Sequence, residues 1–152
     1  MIPILISLSY WLHTLATVVF IGYFVLLATI YLPALAGNPV VLSAISKSSR
    51  WWLYASMLIF TITGVYLTFV DSSYLGIGNF SNFWGVMMLV THLLIVGMIA
   101  MGFWFNAIMR VGPLMSSNTG AAQALDRFRR YVNAMAVCGA LVLLLTALAQ
   151  AS

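Results

Sequence analysis

Charge is what this chain has least of. Lys, Arg, Asp and Glu make up 5% of its 152 residues, against 64% hydrophobic, where a soluble domain carries about 25% charged residues. Such a chain has nowhere in water to put its apolar surface, so an ordinary soluble domain is excluded. Acidic residues number two, Asp71 and Asp126, far apart, so paired carboxylates for acid–base work are missing. With no phosphate-binding glycine loop and no nucleophile–base pair, hydrolysis and phosphoryl transfer have no residues to run on. The single cysteine, Cys138, excludes an internal disulfide framework. A net charge of +4 is not read as nucleic-acid binding, because every basic residue sits near the end of an apolar run, where it sets orientation.

What is present is a series of continuous apolar runs long enough to cross a hydrocarbon core of roughly 30 Å. They do not alternate, which points to helices and not a barrel. Four spans are predicted, at about Ile4–Leu32, Trp51–Val70, Phe83–Met109 and Tyr131–Ala149. The fold expected is an all-α, up-down-up-down four-helix membrane bundle forming a single domain over residues 1–152. The amino-terminal run lacks a basic start and is too long for a secretory signal, so the first span reads as retained. The connectors are predicted at 33–50, with a Gly37-Asn38-Pro39 break, at 71–82, and at 110–130, with a Gly112-Pro113 break followed by the amphipathic run QALDRFRRY. All six basic residues fall in the first and third connectors. The positive-inside rule therefore puts those two in the cytoplasm and places both termini and the 71–82 loop outside, in what reads as a bacterial inner membrane.

Two histidines lie within the spans, and an ionisable residue at membrane depth is a functional hypothesis by default. His13 and His92 are each about nine residues from the outer end of their span, so both are expected roughly 12–14 Å below the outer surface. At about 100° per residue, His13 shares a face with Ser9, Tyr10, Thr17, Phe20 and Phe24, and His92 with Gly85, Met88, Phe103, Asn106 and Arg110. In an up-down-up-down bundle the first and third helices lie diagonally. That separation suits two imidazoles on opposite faces of one haem, with Gly64 and the Gly139-Ala140 pair keeping the other two helices slim. Against this stands the plainer reading of two interhelical hydrogen-bond partners, for instance to Thr17 or a tyrosine.

Nine methionines raise copper, since thioether sulfur is a soft ligand. Met87, Met98, Met101 and Met109, however, form a stripe turned away from His92, and only Met88 shares its face. The stripe reads as packing or a helix-partner surface. Trp51, Trp52 and Trp84 read as an interfacial belt, Gly22, Gly97 and Gly102 as points of close helix approach, and Asp71 as a solvated loop charge.

The runs WLHTLATVVFIGYFVLLATIYLPAL, RWWLYASMLIFTITGVYLTF and FWGVMMLVTHLL resemble the CopD-like superfamily of four-helix membrane proteins, which includes the copper-resistance CopD domain and, more distantly, the HemJ-type protoporphyrinogen oxidases. The likeness covers nearly the whole chain as short motifs: His13 with Phe20, Gly22 and Pro33, then Arg50, then Thr63-Gly64. The resemblance implies a role for His13 in copper handling or haem binding. The family usually carries a lysine in the third helix where Thr91-His92 stands here, and a second histidine there favours bis-histidine haem.

The expected function is a b-type haem protein for electron transfer, with His13 and His92 as axial ligands and Tyr10, Thr17, Gly64 and Met88 around them. Filled axial positions favour electron transfer over substrate activation. The expected partners are membrane lipid, other subunits or a second copy, and a quinone or external electron carrier. Alternatives are a CopD-type copper protein, a HemJ-like oxidase, a chlorophyll-type pigment on the imidazoles, and a non-catalytic assembly subunit.

Overall fold

The computed structural model describes residues 2–35, 38–72, 76, 82–104 and 121–151. Four long helices account for nearly all of them: α1 (Ile2–Leu26), α2 (Pro39–Val70), α3 (Phe83–Phe103) and α4 (Ala121–Gln150). Each is long and apolar enough to cross a membrane. This is an integral membrane protein of the all-α class.

Local chemistry sets the helix ends. The Asn38 side chain accepts from Val41 N–H at 3.2 Å, and Pro39 follows at the first helical position, where a missing N–H costs nothing. The Asn82 side chain accepts from Gly85 N–H at 2.9 Å to start α3. α1 does not stop at Leu26. It widens into a π turn over Leu27–Tyr31, with Leu32 N–H bonded to Leu27 C=O, and closes with a short α turn over Leu32–Ala34. Pro33 explains the widening, because its ring cannot donate and crowds the carbonyl four residues back.

Parts of two expected connectors, 39–50 and 121–130, are in fact helix. The predicted second span begins at Trp51, yet α2 is continuous from Pro39. After Pro39 nothing breaks the chain until Gly64, and Leu42 is fully buried against the bundle. The run QALDRFRRY is likewise the opening of α4, held down by buried Ala124 and Phe128. Twelve residues of α2 thus precede Trp51, a rise of about 18 Å. The predicted end of the third span at Met109, together with Asn106, Arg110 and the Gly112-Pro113 break, lies outside the described residues.

α1 packs against α2 and α4, and α3 packs against α4, whereas α1 and α3 are diagonal. α2 and α3 make no extensive backbone contact, so the bundle is open along that side. The buried core runs through Phe20, Ile21, Phe24, Phe128, Val132 and Met135. Ile21 sits so close to α4 that a Cβ on Gly139 would lie 2.7 Å from its Cγ2. Glycine there lets two helices approach, a different role from the room at the haem edge expected of Gly139, which is not among the residues that line the histidine cavity. Gly22 and Gly97 instead face open space, and a Cβ on Gly102 would lie at an ordinary 3.6 Å from the Tyr131 hydroxyl. The methionine stripe also turns inward: Met98 is buried and Met101 packs on the core, because the face opposite His92 is the one that meets α4.

Candidate functional site

The open side between α2 and α3 holds a cavity of about 400 Å³, walled by the amino-terminal halves of α1 and α3 and the carboxy-terminal halves of α2 and α4. Helices of alternating direction bring those halves to one end of the bundle. All six residues expected at the site, Tyr10, His13, Thr17, Gly64, Met88 and His92, line it.

His13 is held by α2. Its Nδ1 lies 2.9 Å from Thr63 Oγ1. The Thr63 hydroxyl has one proton, directed to the carbonyl of Ile59 at 2.6 Å with Phe60 C=O at 3.3 Å. The Thr63 oxygen therefore accepts, His13 Nδ1–H donates, and Nε2 carries the lone pair. Phe60 stacks on the imidazole at 4.7 Å between centroids and 17° between planes. A Cβ on Gly64 would stand 3.0 Å from His13 Cε1 and 3.6 Å from Nδ1, so glycine is what lets the ring lie flat on α2.

His92 repeats the arrangement on its own helix. Its Nδ1 is 2.6 Å from the Met88 carbonyl, which can only accept, so Nδ1 is again the protonated nitrogen and Nε2 the basic one. Thr68 Oγ1 lies 3.4 Å from Nε2, but its proton goes to Gly64 C=O at 2.9 Å. That leaves a long, weak contact at Nε2. Both imidazoles thus have Nδ1–H tied to a protein oxygen and Nε2 basic, and a hydrogen bond of that kind fixes the ring orientation of a ligating histidine.

Several expectations are corrected. Thr17 does not touch the His13 ring; its hydroxyl donates to the His13 backbone carbonyl at 2.7 Å, as mid-helix threonines do when lipid offers no other acceptor. The two rings are expected at equal depth, yet their α2 contacts are Thr63 and Thr68, separated along that helix by about 7.5 Å. Trp84 is not in a belt: it is 7% exposed and forms part of the cavity wall, whereas Trp51 and Trp52 face outward as expected. Asp71 caps the end of α2, its N–H bonded to Leu67 C=O, and stands on the cavity lining.

Phe60, Thr63, Thr68 and Thr91 were not among the expected site residues. The sequence offered Thr63 and Thr68 only as two of several hydroxyls in that span, beside Ser56 and Thr61. Thr91 is the most telling: it is 3% exposed, lines the cavity, and its hydroxyl has no hydrogen-bond partner among the described residues. An unsatisfied buried hydroxyl costs roughly 1–3 kcal/mol, a cost that a polar ligand atom would remove.

Among the described residues, no Lys or Arg lines the cavity. The described residues include no cluster of three or more His, Cys, Asp or Glu; the potential ligands among the described lining residues are the two imidazoles, the Met88 thioether and the Asp71 carboxylate. Compared with known proteins, the chain matches no family model, no curated protein and no solved structure.

Proposed function

We propose that this protein is a membrane-embedded b-type haem protein for electron transfer, with His13 and His92 ligating iron through Nε2. One observation carries the reading: in both rings Nδ1–H is donated to a protein oxygen, which leaves both Nε2 lone pairs available in one cavity. The cavity volume falls within the roughly 300–1,000 Å³ of small-molecule sites, and its walls offer flat packing against Phe60 and Trp84. Bound haem would supply one-electron chemistry. The chain's own part is to orient both imidazoles, seal the α1 side and keep water from the ring faces. With no Lys or Arg among the described lining residues, propionates would have to reach the Tyr10 hydroxyl, the Gln150 amide and the solvent at the mouth. The positive-inside rule puts that mouth on the outer face of a bacterial inner membrane, where a quinone or an external carrier exchanges electrons. Exposed Trp11, Ile62 and Leu93 leave faces for lipid, another subunit or a second copy.

A second reading has its own support. The Met88 thioether lines the same cavity as the two imidazoles, a donor set suited to Cu(I), in keeping with the CopD-like resemblance. A reduced-minus-oxidised spectrum of the purified protein with pyridine haemochrome analysis separates the two. A low-spin b-type spectrum near one haem per chain, lost in both His13→Ala and His92→Ala, is expected. A haem-free protein that retains stoichiometric copper would replace the first reading with the second.

A further inference from the structure

The other half of the bundle contains a second cavity, of about 350 Å³, that the histidine site does not use. It lies beside the basic ends of α2 and α4, and all four helices wall it. We propose that this inner cavity binds the ring of a lipid-soluble quinone, a flat, uncharged ring with carbonyl acceptors and an apolar tail. The assignment extends the cytochrome reading by giving the electron partner a site, but it does not need haem in the outer cavity.

The walls suit a flat ring. Phe20, Phe24 and Tyr131 form an aromatic corner in which Phe24 meets Phe20 edge-on at 5.6 Å and Tyr131 at 5.9 Å. Such surfaces favour stacked or edge-on aromatic partners. Met57, Met98 and Met135 add polarizable, adaptable contacts.

The polar groups lie mostly on α2, with the Tyr23 and Tyr131 side chains adding hydroxyls from α1 and α4. Ser46, Arg50 and Tyr54 recur at four-residue spacing on one face of α2, and all three line the cavity. Tyr23 is hydrogen-bonded to Ser46 and Ser49, which orders that wall. Arg50 offers donors and no acceptor, and the Arg130–Asp126 ion pair does not involve it. The site therefore asks for an occupant with acceptor oxygens. Because α2 and α3 are not tightly packed, entry is sideways from the bilayer, which selects a molecule already dissolved there. A phospholipid would satisfy Arg50 but gains little from an aromatic corner. Val96 and Ile99 of α3 line both cavities, so a ring bound here is a neighbour of the histidine site.

The test is calorimetric titration of the purified full chain in detergent with a decyl-tailed benzoquinone, with phosphatidylglycerol as competitor. Saturable binding near one per chain is expected, weakened at least tenfold by Arg50→Gln, largely restored by Arg50→Lys, and lost in Gly102→Leu, which extends a side chain towards the Tyr131 hydroxyl. Arg50 is exposed at the rim, so its variants test the site even if Gly102→Leu fails to fold. Absence of saturable binding, affinity unchanged by Arg50→Gln, or full displacement by phosphatidylglycerol at equal concentration would overturn the assignment. The titration reads quinone and not haem, so a haem-free protein that binds quinone sinks the cytochrome reading alone.

Discussion

Thr63 directs its one proton along α2 and turns its oxygen to His13, which makes it a positioning residue for the imidazole. Thr63→Val keeps the shape and removes the acceptor, and loss of such second-shell partners typically costs 10–100-fold in ligand affinity. We expect haem or metal occupancy to fall in Thr63→Val and to recover in Thr63→Ser, read from the visible spectrum or from metal content. Thr91 makes the opposite kind of prediction. Its hydroxyl is buried without a partner, so Thr91→Val should stabilise the ligand-free protein by about 1–3 kcal/mol while weakening ligand retention. A thermal melt of both forms checks this; a uniform loss of stability would show that the hydroxyl is satisfied within the chain.

At the scale of elements, the closest approach is between α1 and α4. A Cβ at position 139 would meet Ile21 at 2.7 Å, and overpacking of that kind costs about 1–3 kcal/mol. Gly139→Ala should lower the melting temperature in detergent, and Ile21→Ala in the same chain should recover part of the loss, a non-additivity expected of residues in contact. The basic extensions of α2 and α4 depend on burial, not on charge pairing. Leu42 and Val132 are fully buried, while the Arg130–Asp126 pair is 81% and 54% exposed and contributes little.

At the scale of the whole molecule, two halves of α2 serve two cavities, and sidedness assigns each to a face of the membrane. In a Cys138→Ala background, Ser72→Cys should react with a membrane-impermeant maleimide added to intact cells, and Ser48→Cys only after permeabilisation. Both positions are exposed. Reversed labelling would invert the orientation that the basic residues predict and move the histidine cavity to the cytoplasmic half.

The sequence by itself determined the class and the number of spans, because 20 or more apolar residues in water or lipid have few structures open to them. It also singled out His13, His92, Gly64 and Met88, since a polar atom or a missing side chain in an apolar helix stands out at helical spacing. Helix limits were less legible: polar residues at 39–50 and 121–130 look like connectors until burial of Leu42 and Phe128 shows them to be helix. Which face of each helix looks inward was decided only in the tertiary structure, and that is why Trp84, Met98 and Thr91 turned out to be interior. The hydrogen-bond partners of the imidazoles were decided there too. Thr63 is 50 residues from His13, and local periodicity does not say which hydroxyl a ring will meet across a helix interface.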